Sequence, residues 1–387
     1  MKISSDRILT THAGSLPRPD DLTRMLYDVA DGKPVDEQAL ERRTREAIAE
    51  VVAKQREADI DVISDGEQGK VGFSNYVLQR FTGFEEHAQF MAADLGDFPE
   101  MIPVVFGTEY SQHLRLPVLK GPIGPRDPQA VQREIADFKA ALGDADPDGA
   151  FIPAISPGHV AFNFPNKHYP SHQAYIEAAA NALAPEYKAI VDAGFNVQID
   201  SPDAAMAFHC RVEGSDVADP KEHLAAGLEV LRDALRGVPE EKVRYHVCWG
   251  NVTTPHHKDV ELKEIAELLI KAPARFIYVE AANPRHEHEW QVWKEAKLPD
   301  DKALIVGVID VKTNHVEHPE VVAQRIERFA DVVGKERVIA ATDCGFATFV
   351  GMHHVFPRVA WLKLQSLVQG AEIASQHLWS RKPVAAR

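Results

Sequence analysis

Short apolar runs alternate along this chain with longer stretches of helical periodicity. Eight runs read as strands: Ile8–Ala13, Asp61–Asp65, Phe151–Ile155, Phe195–Asp200, Lys242–Cys248, Phe276–Glu280, Ala303–Asp310 and Val338–Thr342. Between and after them the spacing of apolar residues predicts helices over about 36–57, 128–142, 173–193, 220–236, 260–271, 286–296, 319–333 and 356–378. Glycines and prolines punctuate the boundaries, as at Gly14-Ser15-Leu16-Pro17 and at Gly194. Residues 84–126 break this rhythm with glycines, prolines and short β-branched runs such as Pro103-Val104-Val105-Phe106. They read as an inserted hairpin with loops.

Eight strand–helix units are the count of a (β/α)8 TIM barrel, here one α/β domain over 1–387 with an N-terminal helical extension and that insertion. A doubly wound open sheet is the alternative, but the Gly-rich dinucleotide fingerprint is missing after the first strand. With 387 residues, 45% of them hydrophobic, the chain can bury a large core in one unit.

Composition narrows the partners. A net charge of −15 argues against nucleic acid and anionic membranes. No apolar run approaches the roughly 20 residues of a spanning helix, and Met1-Lys2-Ile3-Ser4-Ser5-Asp6 lacks the core of a signal peptide. Three cysteines, at 210, 248 and 344, do not make a disulfide framework. The cytoplasm is the expected compartment, with the cysteines free to act as ligands. Oligomeric state cannot be read from the sequence.

Barrel enzymes carry their chemistry at the C-terminal ends of the strands. Ser15, Glu67, Ser156, Asp200, His246 with Cys248, Glu280, Asp310, and Asp343 with Cys344 stand there. Taken singly, each has a plain alternative: Ser15 a turn residue, Glu67 a loop charge, Asp200 a cap, Cys248 a buried thiol beside a core histidine. Taken together, His246, Cys248, Glu280 and Cys344 put four ligand-type groups on three late strands, which is the donor set of a tetrahedral Zn2+ site. Cys210 has no such placement and reads as structural.

These residues resemble the catalytic barrel of cobalamin-independent methionine synthase, especially its short single-barrel relatives, which include epoxyalkane:coenzyme M transferases. The likeness runs through Thr11-His12-Ala13-Gly14-Ser15, Asp65-Gly66-Glu67, Gln198-Ile199-Asp200, His246-Val247-Cys248, Glu280 and Asp343-Cys344-Gly345. The resemblance implies zinc on His246, Cys248, Glu280 and Cys344. It implies an amino-acid thiol, homocysteine, held by Gly14, Ser15, Glu67 and Asp200, with Asp310 near the methyl donor, a methylfolate.

The family's histidine two positions after that aspartate is replaced by Lys312. Asp310, Lys312 and His315 are therefore the candidates for protonating the leaving group. The family's Thr-Gly-Pro becomes Ser156-Pro157-Gly158, and its folate-contacting tryptophan segment is not recognisable. Asp200 and Glu67 suit a substrate ammonium, whereas a sulfonated thiol such as coenzyme M would want cations, for which Arg18, Lys70 and Arg285 are available. A metal-free decarboxylase-like barrel would leave His246, Cys248 and Cys344 without a role. A closed, non-catalytic zinc site is the third alternative.

Overall fold

The computed structural model describes residues 1–380 apart from 86, 87, 89, 114, 115, 216 and 353. Positions 86, 87, 89, 114 and 115 of the expected insertion therefore lie outside the described residues. Eight parallel strands form one curved sheet: β1 (Leu9–Thr10), β2 (Ile63–Ser64), β3 (Ala150–Ile155), β4 (Asn196–Asp200), β5 (Val243–His246), β6 (Phe276–Val279), β7 (Ala303–Ile309) and β8 (Val338–Thr342). β2 to β8 pair in chain order and β8 pairs with β1. The ring closes where the Val62 N–H donates to the Thr10 carbonyl at 3.0 Å and the Thr11 hydroxyl donates to the Val62 carbonyl at 2.8 Å.

Both faces of these strands are buried, and strand periodicity sorts their side chains. Leu9, Phe151, Phe276, Tyr278, Ile305, Ile339 and Ala341 gather inside the ring, while Ile277, Val279, Leu304, Val306, Val338 and Ala340 face the surrounding helices. Arg244 is wholly buried in the interior. Its guanidinium lies 3.7 Å from the centre of the Phe151 ring and donates to the Thr11 hydroxyl and the His12 carbonyl.

The helix expected from residue 36 runs over Glu37–Glu57, capped by the Asp36 carboxylate on the Ala39 N–H. With a further helix, Asp20–Ala30, it lies between β1 and β2. Two expected helices are much shorter than their periodicity suggests. Residues 260–271 form a single turn at Leu262–Glu264 and a helix at Ala266–Leu269; residues 286–296 form a turn at Glu289–Val292 and a helix at Trp293–Ala296. A tertiary bond explains this: the Glu289 carboxylate takes the Leu262 N–H at 2.6 Å and His286 Nδ1 at 2.7 Å, fixing both segments outside helical register.

In the insertion, Phe81–Glu85 pairs antiparallel with Val118–Pro125, and Phe90–Ala92 pairs antiparallel with Cys210–Val212. The β-branched run at 103–106 lies within a helix, Ile102–Phe106, because Pro103 falls in its first turn, where a missing N–H costs nothing. Among the described residues no helix is long and apolar enough to cross a membrane.

Candidate active site

Strand register brings the central residues together. Asp200 is the register partner of His246 across β4 and β5, and His246 is the partner of Tyr278 across β5 and β6. His246 Nδ1–H donates to Asp200 Oδ1 at 2.9 Å. That fixes the tautomer and leaves Nε2 as a buried lone pair with no partner among the described residues. Burial disfavours the charged ring, but the Asp200 hydrogen bond outweighs it and raises the His246 pKa.

Cys248 lies just past the end of β5, and Cys344 just past β8. Their sulfurs are 3.5 Å apart, and the Gly250 N–H donates to the Cys248 sulfur at 3.3 Å. The neighbouring Cys344 thiol, then burial, pushes the Cys248 thiol well up. Asp343 ties these strand ends together by accepting the N–H groups of Ala281, Ala282 and Asn283 at 2.8–2.9 Å. It was visible in the sequence only as the neighbour of Cys344.

Glu280 sits at the end of β6, but its oxygens are already engaged. Oε1 accepts the Trp249 N–H at 3.0 Å, and Oε2 accepts from the Asn283 amide at 2.8 Å and the Lys312 ammonium at 3.1 Å. Burial opposes its charge, yet Lys312 and His286 hold its pKa below the usual value. Among the described residues no three His, Cys, Asp or Glu side chains are gathered as a finished metal site. The donor set still suits zinc: two adjacent sulfurs, an orphaned imidazole nitrogen set by a carboxylate, and a carboxylate whose present partners are exchangeable.

Glu67 and Asp200 line a cavity together with His246, Cys248, Cys344 and Ser15. Glu67 Oε2 is buried without a partner among the described residues, and burial pushes the pKa of this carboxyl up to about 8 against the pull of Lys70. Gly14 adopts φ +120°, and a Cβ there would stand 2.6 Å from Pro153 Cγ, so the turn before Ser15 admits only glycine. The Ser15 carbonyl accepts the Phe346 N–H at 2.9 Å, linking the first strand end to the last.

The donor-side candidates lie elsewhere. Asp310 accepts the Lys312 N–H at 3.0 Å and the Thr313 hydroxyl at 2.7 Å, Lys312 faces Glu280, and His315 is exposed. None of them lines the cavity. The cations weighed for an anionic substrate are also committed. Arg18 donates to the Ala347, Glu67 and Lys70 carbonyls, Lys70 pairs with Glu134, and Arg285 reaches the Asp259 carbonyl. Among the described residues the cavity lining contains no lysine or arginine, but four carboxylates: Glu67, Asp94, Asp200 and Asp259.

Sequence reasoning missed Asp94, His159, His209, His256 and Asp259, all of which line the cavity. His256 and Asp259 stand in a loop, Asp94 in the 3-10 turn Ala93–Gly96, and His159 and His209 in the short helices Pro157–Asn163 and Asp203–His209, with no recognisable spacing between them. The one available signal was Asn283-Pro284-Arg285-His286, whose His286 Nε2 reaches Asp259 Oδ2 at 3.0 Å. Cys210, read as structural, is buried and also touches this cavity.

Residues 8–115 and 157–363 match the family model described as cobalamin-independent synthase, catalytic domain. The methionine synthase of Saccharolobus solfataricus is 27% identical over 373 residues, covering 95% of each chain. That of Thermococcus kodakarensis is 25% identical over 372 residues, covering 95% of this chain and 94% of that protein. Among solved structures, a B12-independent methionine synthase from Shewanella sp. W3-18-1 in complex with selenomethionine superposes with a TM-score of 0.76 at 21% identity, covering 97% of this chain and all of that one.

Proposed function

This chain belongs to the cobalamin-independent synthase catalytic-domain family, and from that premise we propose that it moves a methyl group from a methylfolate to the thiol of homocysteine, using zinc. One observation carries the reading: His246 Nε2, aligned by Asp200 and without a partner among the described residues, lines one cavity with two sulfurs 3.5 Å apart. His246, Cys248 and Cys344 would hold the metal. Glu280 is the fourth candidate and would have to leave Lys312 and Asn283 to join them. Bound zinc lets a coordinated thiol exist as a thiolate at neutral pH, when a free thiol of pKa about 8.5 is mostly protonated.

The remaining work falls to the protein. Glu67 and Asp200 receive the substrate ammonium, and Gly14-Ser15 positions its carboxylate end through the backbone turn. A cavity lined, among the described residues, by four carboxylates and no lysine or arginine favours an amino-acid thiol over a sulfonated one. In the transfer the methyl carbon's bond to nitrogen breaks as its bond to sulfur forms, and the departing amine takes up a proton. Lys312 is the proposed holder of that proton. Burial opposes its charge, but Glu280 raises its pKa, and Asp310 fixes its backbone.

Metal analysis of freshly purified protein tests the zinc assignment, with about one equivalent expected. X-ray absorption at the zinc edge then separates a catalytic from a closed structural site. Adding homocysteine should add one sulfur neighbour; an unchanged first shell would contradict the reading.

A further inference from the structure

The cavity wall built by the insertion and by the loop after β5 carries a second polar cluster. Asp94 lies in the 3-10 turn Ala93–Gly96 that follows the strand paired with Cys210–Val212. Its Oδ2 accepts the His256 N–H at 2.7 Å, while Oδ1 is buried and has no partner among the described residues. His209 Nε2 has two acceptors beside it, the Trp249 carbonyl at 3.0 Å and Asp259 Oδ1 at 3.4 Å, so Nε2 carries the proton. Burial holds this imidazole below its ordinary pKa, in the neutral form. Its Nδ1 is thus a bare lone pair, also buried and without a partner among the described residues.

Two buried acceptors without donors are costly to maintain, and both belong to residues lining the same cavity. They ask for a ligand that brings N–H groups. The local charge points the same way. Despite burial, His256 and His286 hold Asp259 below the usual carboxylate range, and among the described residues no lysine or arginine lines the cavity. Apolar walls complete the lining, with Phe73 and Phe349 edge to face at 5.4 Å between ring centres and Met206 in the same cavity. Such walls accept an aromatic face better than a hydrated cation.

We infer that Asp94 and His209 form a recognition subsite for a planar heterocycle presenting amino and ring N–H donors along one edge, the head group of the alkyl donor. The inference rests on the reading that this cavity accepts a thiol and a donor together. It assigns donor recognition to the insertion and to the segment around 209, not to the residues that follow β7.

Calorimetry with the intact protein tests this directly, without turnover and without homocysteine. The probes are 2-amino-4-oxopteridine and 2,4-dioxopteridine, which differ by replacement of the amino group with a carbonyl. The amino compound should bind about tenfold or more tightly, because the dioxo compound sets an acceptor against an acceptor. Asp94→Asn retains an oxygen for the His256 N–H but presents an amide donor, and should narrow the gap to less than about threefold. Equal binding of the two probes by the unmodified protein, no binding of either, or a gap that Asp94→Asn leaves intact would overturn the subsite. The comparison in the unmodified protein decides even if the variant does not fold. Discrimination without methyl transfer would sink only the proposed function, whereas methyl transfer without discrimination would sink only the subsite.

Discussion

Glu280 is held by three donors that are not a metal: the Trp249 N–H, the Asn283 amide and the Lys312 ammonium. As the proposed fourth metal ligand, a carboxylate with such an alternative home can yield its place. Glu280→Gln should therefore leave zinc largely bound by His246, Cys248 and Cys344 while changing thiol affinity. Metal content and thiol binding measured on one preparation check this, and complete metal loss would remove the role. Glu67 gives a pH prediction. Its folded pKa of about 8 lies above the ordinary glutamate value, so the substrate-free folded state holds an extra proton between the two. The stability from that proton is fully present below about pH 4 and is lost as pH rises through about 8. Denaturant midpoints for Glu67→Gln should accordingly lack a decline that the unmodified protein shows across this window. The sequence made His246, Cys248 and Cys344 visible because strand ends expose ligand types at fixed offsets. It could not show that Glu280 turns toward Lys312, because that depends on a side-chain pairing 32 residues apart.

The strands were readable because both of their faces are buried, so they stand out as apolar runs bounded by glycine, proline and polar residues. The helix Pro319–Val333 was readable to its ends from Pro319 at its start and Gly334 just beyond. Residues 260–271 and 286–296 were not, since the Glu289 bonds that shorten them are tertiary and leave the periodicity intact. The last helix, Pro357–Ser380, packs against Pro319–Val333 at a glycine. A Cβ on Gly370 would lie 2.4 Å from Val322 Cβ and 2.9 Å from the Pro319 carbonyl. Gly370→Ala should therefore destabilise the protein by about 1–3 kcal/mol through overpacking, although alanine is the better helix former. Urea unfolding measures it, and an unchanged or raised midpoint would show that the two helices separate freely.

At the scale of the molecule, ring closure turns distant sequence positions into one site. The Thr10–Val62 bond joins β1 to β2, the pairing of β1 with β8 sets Ser15 beside Gly345 and Phe346, and the Asp200–His246 register sets the imidazole. The order of strands could be anticipated from the count of units; the roof over the cavity could not. That roof joins Phe90–Ala92 to Cys210–Val212, two short strands more than a hundred residues apart with no shared pattern to announce them. On the proposed reading, thiol activation and amine recognition rest on residues that touch the cavity, donor recognition on the insertion and the segment around 209, and protonation of the leaving amine on Lys312, which pairs with Glu280. The claim joining these parts is methyl transfer to homocysteine, and the direct measurement is a single-turnover assay with methyl-labelled methyltetrahydrofolate and homocysteine on zinc-loaded protein. The account predicts labelled methionine, with formation abolished by chelation and in Cys344→Ser. Fully zinc-loaded protein that forms no labelled methionine would contradict it.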